Sequence, residues 1–408
     1  MCQGVLIFAI AFVLVDIAFL YQKSVKLSAK RMLPQLLSLG DENFIHILVE
    51  NHSNLDLRLK IIDELPEQLQ ERNFTINAEL KPQAEEQFHY IITPIVRGEY
   101  FFKNINIYAA TFLGLVTRRF TIKAHKKAPV YPSVLQMKKY AFRAFSRQTH
   151  EHGIKKLRRL GHSYEFDQIK NYVKGDDYRS INWKATGKKS ELMVNHYEDE
   201  KSQSIYCIID KSRSMKMPFN GLSLLDHSIN SALVMSNIAL LKDDKAGLIT
   251  FSDKLGSTLK AEKSNKQLRA ILEALYKEKE RKTDANYELM FYAVRKLISS
   301  RSLLMFYTNF ESIYSLERVL PVLRKINRHH LLVVIFFVNT EILKMAEKEC
   351  KTLEDIYHQT IARNFIEEKY KMVNELKKFG IHSILTKPED LNVNTINKYL
   401  ELKSRGMI

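Results

Sequence analysis

The run Asp210-Lys211-Ser212-Arg213-Ser214-Met215 sets one carboxylate and two hydroxyls at alternate positions. A tight loop can turn three such side chains toward one point. Hard oxygen donors of this kind suit Mg²⁺, which takes near-octahedral oxygen coordination and keeps several waters. The same spacing also fits a plain turn with a helix cap. Position separates the two readings: SIYCIID at 204–210 is a short apolar run ending in an acid, so Asp210 falls at the end of an expected strand. Other chemistries find less support. TGKKS at 186–190 faintly resembles a phosphate loop, but Asn182 stands where a glycine is required five positions before Gly187. His150-Glu151-His152 and His329-His330 are the dense histidine spots, and neither has partner ligands at a recognised spacing. A non-enzymatic protein with no small-molecule substrate is expected.

The elements that must position the loop alternate between strand and helix. Residues 222–241 carry apolar groups at helical spacing, and AGLITFS at 246–252 reads as a strand. In SNKQLRAILEALYKE, Ser264 and Gln267 form a capping-box pattern, and Leu268, Ile271, Leu272 and Leu275 make one face. SLLMFYT at 302–308 is another strand, followed by a helix to about 326. LLVVIFFV at 331–338 has no polar residue, as a central parallel strand covered on both sides requires. A long helix ends at Gly380, a natural C-cap, and IHSILT starts a last strand before a C-terminal helix at 389–408. The expectation is an α/β domain over 201–388 with a doubly wound, mostly parallel sheet, whose ligands gather beyond the carboxyl ends of its strands.

Ahead of it, residues 27–129 have the texture of strands. LDLRLKII at 56–63 alternates with period two, and FIHILVE, FFKNINIY and RRFTIKA behave similarly, which predicts a small antiparallel β-sandwich. Residues 130–200 form a basic connecting stretch, with Lys155, Lys156, Arg158 and Arg159 followed by Lys170, Lys174, Arg179 and Lys184. These bind an anionic partner or form a solvated face paired with Glu165, Asp176 and Asp177. Residues 4–21 are apolar apart from Asp16, and about 18 residues at ~1.5 Å rise give ~27 Å, enough to cross a hydrocarbon core. A membrane anchor over 1–22 is expected. Lys23, Lys26, Lys30 and Arg31 follow at once, which puts the body in the cytoplasm by the positive-inside rule. Asp16 either pairs with a partner helix or marks a functional position, or else is tolerated near the interface. A cleaved signal peptide fits less well, for the segment has no basic leader.

The net charge of +17 is consistent with a membrane surface, an acidic protein or nucleic acid. No helix-turn-helix, zinc-finger or aromatic RNA-binding pattern is present, so the membrane is preferred over nucleic acid. Cys2, Cys207 and Cys350 are far apart, which argues against a disulfide framework and suits a reducing compartment.

The Asp210 run, in this setting, resembles the metal-ion-dependent adhesion site of von Willebrand factor A domains. The resemblance implies a threonine from a second loop, matched by Thr283, and an acid after a later strand, where Asn309 stands instead. Asn309 offers an oxygen without charge, which lowers the expected affinity for Mg²⁺. Glu311 or Asp284 could compensate; a metal-free A-like domain with Asp210 capping its loop is the other reading. A longer signature covers Glu165, Phe166, Tyr172, Gly175, Asp176, Asp177, Arg179, Ile181, Trp183 and Lys184. It resembles the bacterial "domain of unknown function fifty-eight" family, with ATFLGL replacing a more usual Asp-Pro before Leu-Gly-Leu and one membrane span where members often show a pair. The resemblance implies an adaptor or chaperone-like role beside a MoxR-type AAA+ ATPase and other A-domain proteins. Partner contacts are then expected at Glu165, Tyr172, Asp176, Asp177, Arg179 and Trp183.

Overall fold

The computed structural model describes residues 2–71, 74–145, 164–173, 178–189, 191–199, 202–264, 266–349 and 352–408. The chain divides into two compact units, Met1–Leu135 and Gln136–Ile408.

The first unit opens with helix α1 (Cys2–Leu20). Ten strands follow: β1 (Leu27–Met32), β2 (Leu37–Ser38), β3 (Asn43–Asn51), β4 (Leu57–Asp63), β5 (Ile76–Leu80), β6 (Glu85–Ile92), β7 (Gly98–Phe102), β8 (Ile105–Ala110), β9 (Thr117–Ile122) and β10 (Lys126–Tyr131). They make sheets of order β1-β3-β6, β2-β10-β7 and β5-β4-β8-β9. All pairs are antiparallel except β10 with β2, so the antiparallel expectation holds with one parallel exception. Period two works as the sequence implies: along β4, Leu57, Leu59 and Ile61 are buried while Arg58 and Lys60 are exposed.

Two residues of this unit behave otherwise than the sequence implies. Arg31 is not part of an exposed basic flank; it is buried and forms an ion pair with Asp63, to which the Tyr90 hydroxyl also donates at 2.6 Å. Asp16 is fully buried and accepts from the Thr111 hydroxyl and from the backbone N–H groups of Leu115 (3.1 Å) and Val116 (2.9 Å). Its partner is therefore the β8–β9 turn of its own chain.

The second unit begins within α2 (Val134–Phe145) and continues with the hairpin β11 (Tyr164–Asn171) and β12 (Met193–Asp199), with α3 (Trp183–Lys189) between those strands. Next come β13 (Ser204–Asp210), the short hairpin β14 (Pro218–Phe219) with β15 (Leu222–Ser223), α4 (Leu224–Leu241), β16 (Lys245–Phe251), β17 (Leu255–Glu262), α5 (Gln267–Lys277), α6 (Tyr287–Leu297) and β18 (Leu303–Tyr307). The chain ends with α7 (Ile313–His329), β19 (Leu331–Phe337), α8 (Thr340–Glu347), α9 (Leu353–Lys378), β20 (His382–Thr386) and α10 (Leu391–Ser404). Strand order is β17-β16-β13-β18-β19-β20, all parallel but for antiparallel β17 at the edge.

Helices cover both faces of this sheet. Ile205, Cys207 and Ile209 of β13 point toward α4, α5 and α10, whereas Tyr206 and Ile208 point toward α6, α7 and α9. All seven residues of β19 are buried, as its unbroken apolar run demands. The α9 helix stops at Gly380, whose φ of +68° a side chain would oppose. There the Ile381 N–H reaches the Leu376 carbonyl (3.1 Å) and the Gly380 N–H that of Lys377 (3.0 Å), closing a Schellman turn that launches β20. The capping-box expectation at Ser264 and Gln267 fails. Gln267 is buried and donates to the Ala246 (2.7 Å) and Lys260 (2.8 Å) carbonyls, bracing the sheet edge instead of its own helix. A true capping box starts α4, from Ser223 to Asp226.

Among the described residues, α4 is long and apolar enough to cross a membrane, yet 78% of it is buried inside the fold. Its sides face the sheet, α5 and α10, which identifies it as a core helix. The exposed apolar helix is α1, where Ile10, Leu14, Val15 and Phe19 face outward.

Candidate functional site

In an open sheet the two halves of the chain run away from each other where strand order reverses, and a crevice opens beyond the carboxyl ends there. Here that switch point lies between β13 and β18. Asp210 ends β13 and Thr308 and Asn309 follow β18, so the sheet brings together residues 98 positions apart.

Asp210 is fully buried. Its Oδ1 accepts from the Ser212 N–H (2.9 Å) and its Oδ2 from the Thr308 hydroxyl (2.8 Å). The Tyr287 hydroxyl lies 3.2 Å from that of Thr308, extending the network to α6. Burial raises the Asp210 carboxyl above its ordinary range, although these hydrogen bonds oppose it. Burial and the nearby Asp210 charge also raise the Tyr287 phenol, which stays protonated and donating.

The Ser212 and Ser214 hydroxyls share a hydrogen bond at 3.1 Å. Two ligands on adjacent corners of an octahedron with ~2.1 Å bonds lie ~3 Å apart, so these hydroxyls fit a small hard cation beside Asp210. The other expected ligands are engaged elsewhere. Thr283 donates to Asp253 (2.8 Å), and its backbone carbonyl accepts from the Arg213 N–H (3.0 Å). Asn309 donates its amide to the Ser214 carbonyl (3.3 Å), and its Oδ1 accepts from Lys369 (3.3 Å). Asp284 pairs with Arg213 (2.7 Å) on the surface and Glu311 is exposed, so neither carboxylate sits in the loop. Among the described residues no three His, Cys, Asp or Glu side chains gather as a metal cluster. A cation here would rest on one carboxylate, two hydroxyls and water.

Lys369 was not legible from the sequence. It arrives from α9, about 60 residues beyond the strand end it touches, and no spacing connects the two. Its ammonium donates to the Phe310 carbonyl as well as to Asn309, and burial pulls its pKa down to about 8 against the opposing Glu368 and Glu311 charges. Beside it lies a cavity of about 220 Å³ walled by Met217, Phe219, Phe337, Ile342 and Phe365. Below the loop, Lys211 and Glu278 form a buried ion pair (2.6 Å). Glu278 also accepts from the Thr250 hydroxyl (2.7 Å) and the Ser257 N–H (2.9 Å). That pair pins the loop to the β16–β17 edge.

The expected partner-binding residues are described only in part. Asp176 and Asp177 lie outside the described residues, and of Glu165 only the backbone, in β11, is described. Tyr172 is half-buried at the end of β11, with its N–H on the Leu192 carbonyl (2.8 Å). Arg179 is exposed and lies over the Tyr178 ring at 5.7 Å. Trp183, at the start of α3, is 72% exposed.

Comparison with known proteins gives matches over parts of the chain. Residues 168–349 match the model of the family described as "Protein of unknown function DUF58". The uncharacterized protein YeaD of Bacillus subtilis is 24% identical over 131 residues, and the match spans 31% of each chain. Among solved structures, the conserved hypothetical protein BatB of Bacteroides thetaiotaomicron aligns at a TM-score of 0.31 and 12% identity, over 50% of this chain and 99% of that one. Proximal thread matrix protein 1 from the mussel byssus gives 0.29 at 12% identity, over 50% and 46%. Likenesses at such scores carry no argument about fold or function.

Proposed function

We propose that this chain, whose residues 168–349 match the model of the DUF58 family, is a membrane-anchored, non-enzymatic protein-interaction protein with a von Willebrand factor A-like C-terminal unit. Its crevice recognises a partner's carboxylate through Mg²⁺ held at Asp210, Ser212 and Ser214. The observation that carries this reading is a buried carboxylate at the topological switch point, with two hydroxyls spaced for neighbouring corners of one coordination sphere. The sheet order, with its single antiparallel edge strand, agrees with an A-like domain. The bound ion would supply positive charge at the mouth of the crevice. The protein's own side chains orient it: Ser212 N–H and Thr308 fix the Asp210 carboxylate, and Asn309 holds the Ser214 backbone.

The role as adaptor to a MoxR-type AAA+ ATPase, in assembly or maturation of protein complexes, rests on the family resemblance. The anchor is α1, in the inner membrane with the body on the cytoplasmic side, supported by its outward apolar side chains and by exposed Lys23, Lys26 and Lys30 after it. Exposed Tyr178 and Trp183 offer aromatic anchors for a partner. The second reading, a metal-free scaffold that binds anionic membrane or nucleic acid through its basic region, is favoured by Lys369, which already brings a cation to Asn309.

Co-purification from solubilised membranes, with and without Mg²⁺ and nucleotide, decides between them. Mg²⁺-dependent capture of an ATPase that Asp210→Ala abolishes is the expected result. Capture unaffected by Mg²⁺ and by Asp210→Ala would sink the metal-mediated reading.

A further inference from the structure

The Asp16 carboxylate fixes how deep the first unit sits against a membrane. This inference rests on α1 being the anchor, as proposed above. The helix has 19 residues, which at ~1.5 Å each span ~29 Å, close to the ~30 Å of a hydrocarbon core. Asp16 lies four residues before its end, hence ~6 Å inside the span. Beyond Asp16 the helix stays apolar to its end, with Ile17 and Phe19 exposed, so the apolar surface of α1 continues past the carboxylate. Asp16 therefore enters the membrane, and whatever holds it enters too.

What holds it is the β8–β9 turn. Thr111, Leu115 and Val116 together give the carboxylate three donors, so none of it faces lipid unpaired. The turn is closed by the Gly114 N–H on the Thr111 carbonyl (3.1 Å), with Gly114 at φ +65°. Its sequence, Thr-Phe-Leu-Gly-Leu-Val, has no charge, and Phe112 and Leu115 stand 72% and 52% exposed. Two residues further, the character changes. Arg118 donates to the Leu20 carbonyl at the helix end (2.9 Å) and stacks over Tyr21 (5.0 Å) and Phe120 (4.5 Å). A cation flanked by aromatic rings at the end of an apolar span is the composition of the headgroup layer.

We propose that the tip of the β8–β9 hairpin, Thr111 to Val116, is a second membrane-inserting element, dipping into the acyl region of the lipid bilayer alongside α1 and carrying Asp16's hydrogen-bond partners with it. Arg118 and Tyr21 then mark the headgroup level. The unit docks on the bilayer in one fixed orientation and does not swing from a flexible tether.

The test uses the full chain with Cys2, Cys207 and Cys350 replaced by alanine, reconstituted in phosphatidylethanolamine–phosphatidylglycerol vesicles containing a lipid with a nitroxide high on its acyl chain. An environment-sensitive fluorophore is placed singly by Phe112→Cys, Leu115→Cys, Leu14→Cys on the helix, or Glu67→Cys, whose side chain is 89% exposed beyond the far end of β4. Quenching at 112 and 115 to the same extent as at 14, with none at 67, is the expected result. Quenching at 14 alone, with 112 and 115 like 67, overturns the insertion while leaving the anchor intact. No quenching at 14 removes the anchor itself and the inference with it.

Discussion

Thr308 donates its hydroxyl to Asp210 across 2.8 Å, joining the ends of two neighbouring parallel strands through a carboxylate that water does not reach. Burial raises the Asp210 pKa, so its contribution favours folding below the unfolded-state value of about 3.9 and is lost as pH rises through the folded value. At neutral pH without a cation, ionised Asp210 therefore costs stability. Asp210→Asn keeps an acceptor for the Ser212 N–H, gives a donor to Thr308 and sheds the charge. In chelator the variant should unfold about 2–4 °C higher at neutral pH, the response to ~1 kcal/mol in a domain of this size. Its advantage should shrink toward acidic pH. Added Mg²⁺ should raise the melting point of the parent and not of the variant. Thermal unfolding across that pH range reads both effects, and a variant less stable than the parent at neutral pH would show that the hydrogen bonds outweigh burial.

Asn309 stands where an acid would strengthen a cation site, but Lys369 is already 3.3 Å from its Oδ1. A carboxylate introduced there meets the ammonium first, and the two neutralise each other. Asn309→Asp alone should change Mg²⁺ affinity little. Combined with Lys369→Met it should tighten binding about tenfold, or ~1.4 kcal/mol. Isothermal titration of the two variants decides the matter, and an equal gain in both would mean that Lys369 does not compete.

How much of this was readable beforehand follows from the range of the interactions. The strand at 331–338 and the helix stop at Gly380 were legible because local pattern and backbone chemistry determine them. The Asp210 loop was legible because a buried strand ending in an acid is a local signal. Long-range partners were not. Thr308 lies beside Asp210 only because β18 pairs with β13, and Lys369 lies there only because α9 returns across the sheet end. Gln267 misled for the same reason: the sheet edge at Ala246 and Lys260 took the side chain that a capping box would have used. The partners of Asp16 were not legible because its donors lie some 95 to 100 residues away.

Cys207 is fully enclosed, and burial pushes its thiol up to about 12 despite hydrogen bonds from Ser236 and Tyr307. The thiolate needed for alkylation is therefore scarce as well as inaccessible. Iodoacetamide at about pH 8 should leave Cys207 unmodified in the native protein and modify it fully in urea, as read by peptide mass. Modification under native conditions would mean that the β13–α4 layer opens on that timescale.

Glu278 is the anchor beneath the site. Burial alone would raise its pKa, yet hydrogen bonds from Lys211, Thr250 and Ser257 overcome that and hold it below the usual carboxylate range. A folded-state pKa that is lowered adds stability above the unfolded value, about 4.3, and that stability fades as pH falls through the folded value. Glu278→Gln leaves the Lys211 ammonium buried without its counter-charge, which should cost about 3–5 kcal/mol at neutral pH. Gly256 packs directly against the pair, since a Cβ there would lie 2.4 Å from the Lys211 Nζ. The gap between parent and variant should narrow in acid, where the parent's glutamate also becomes neutral. Because Lys211 adjoins Asp210 in the loop, the variant should lose Mg²⁺-dependent stabilisation along with fold stability. Lys211→Met with Glu278→Leu, which removes both charges and keeps apolar volume, should recover much of the stability. If the double variant unfolds as readily as Glu278→Gln, the loss comes from the Thr250 and Ser257 contacts and not from the stranded charge.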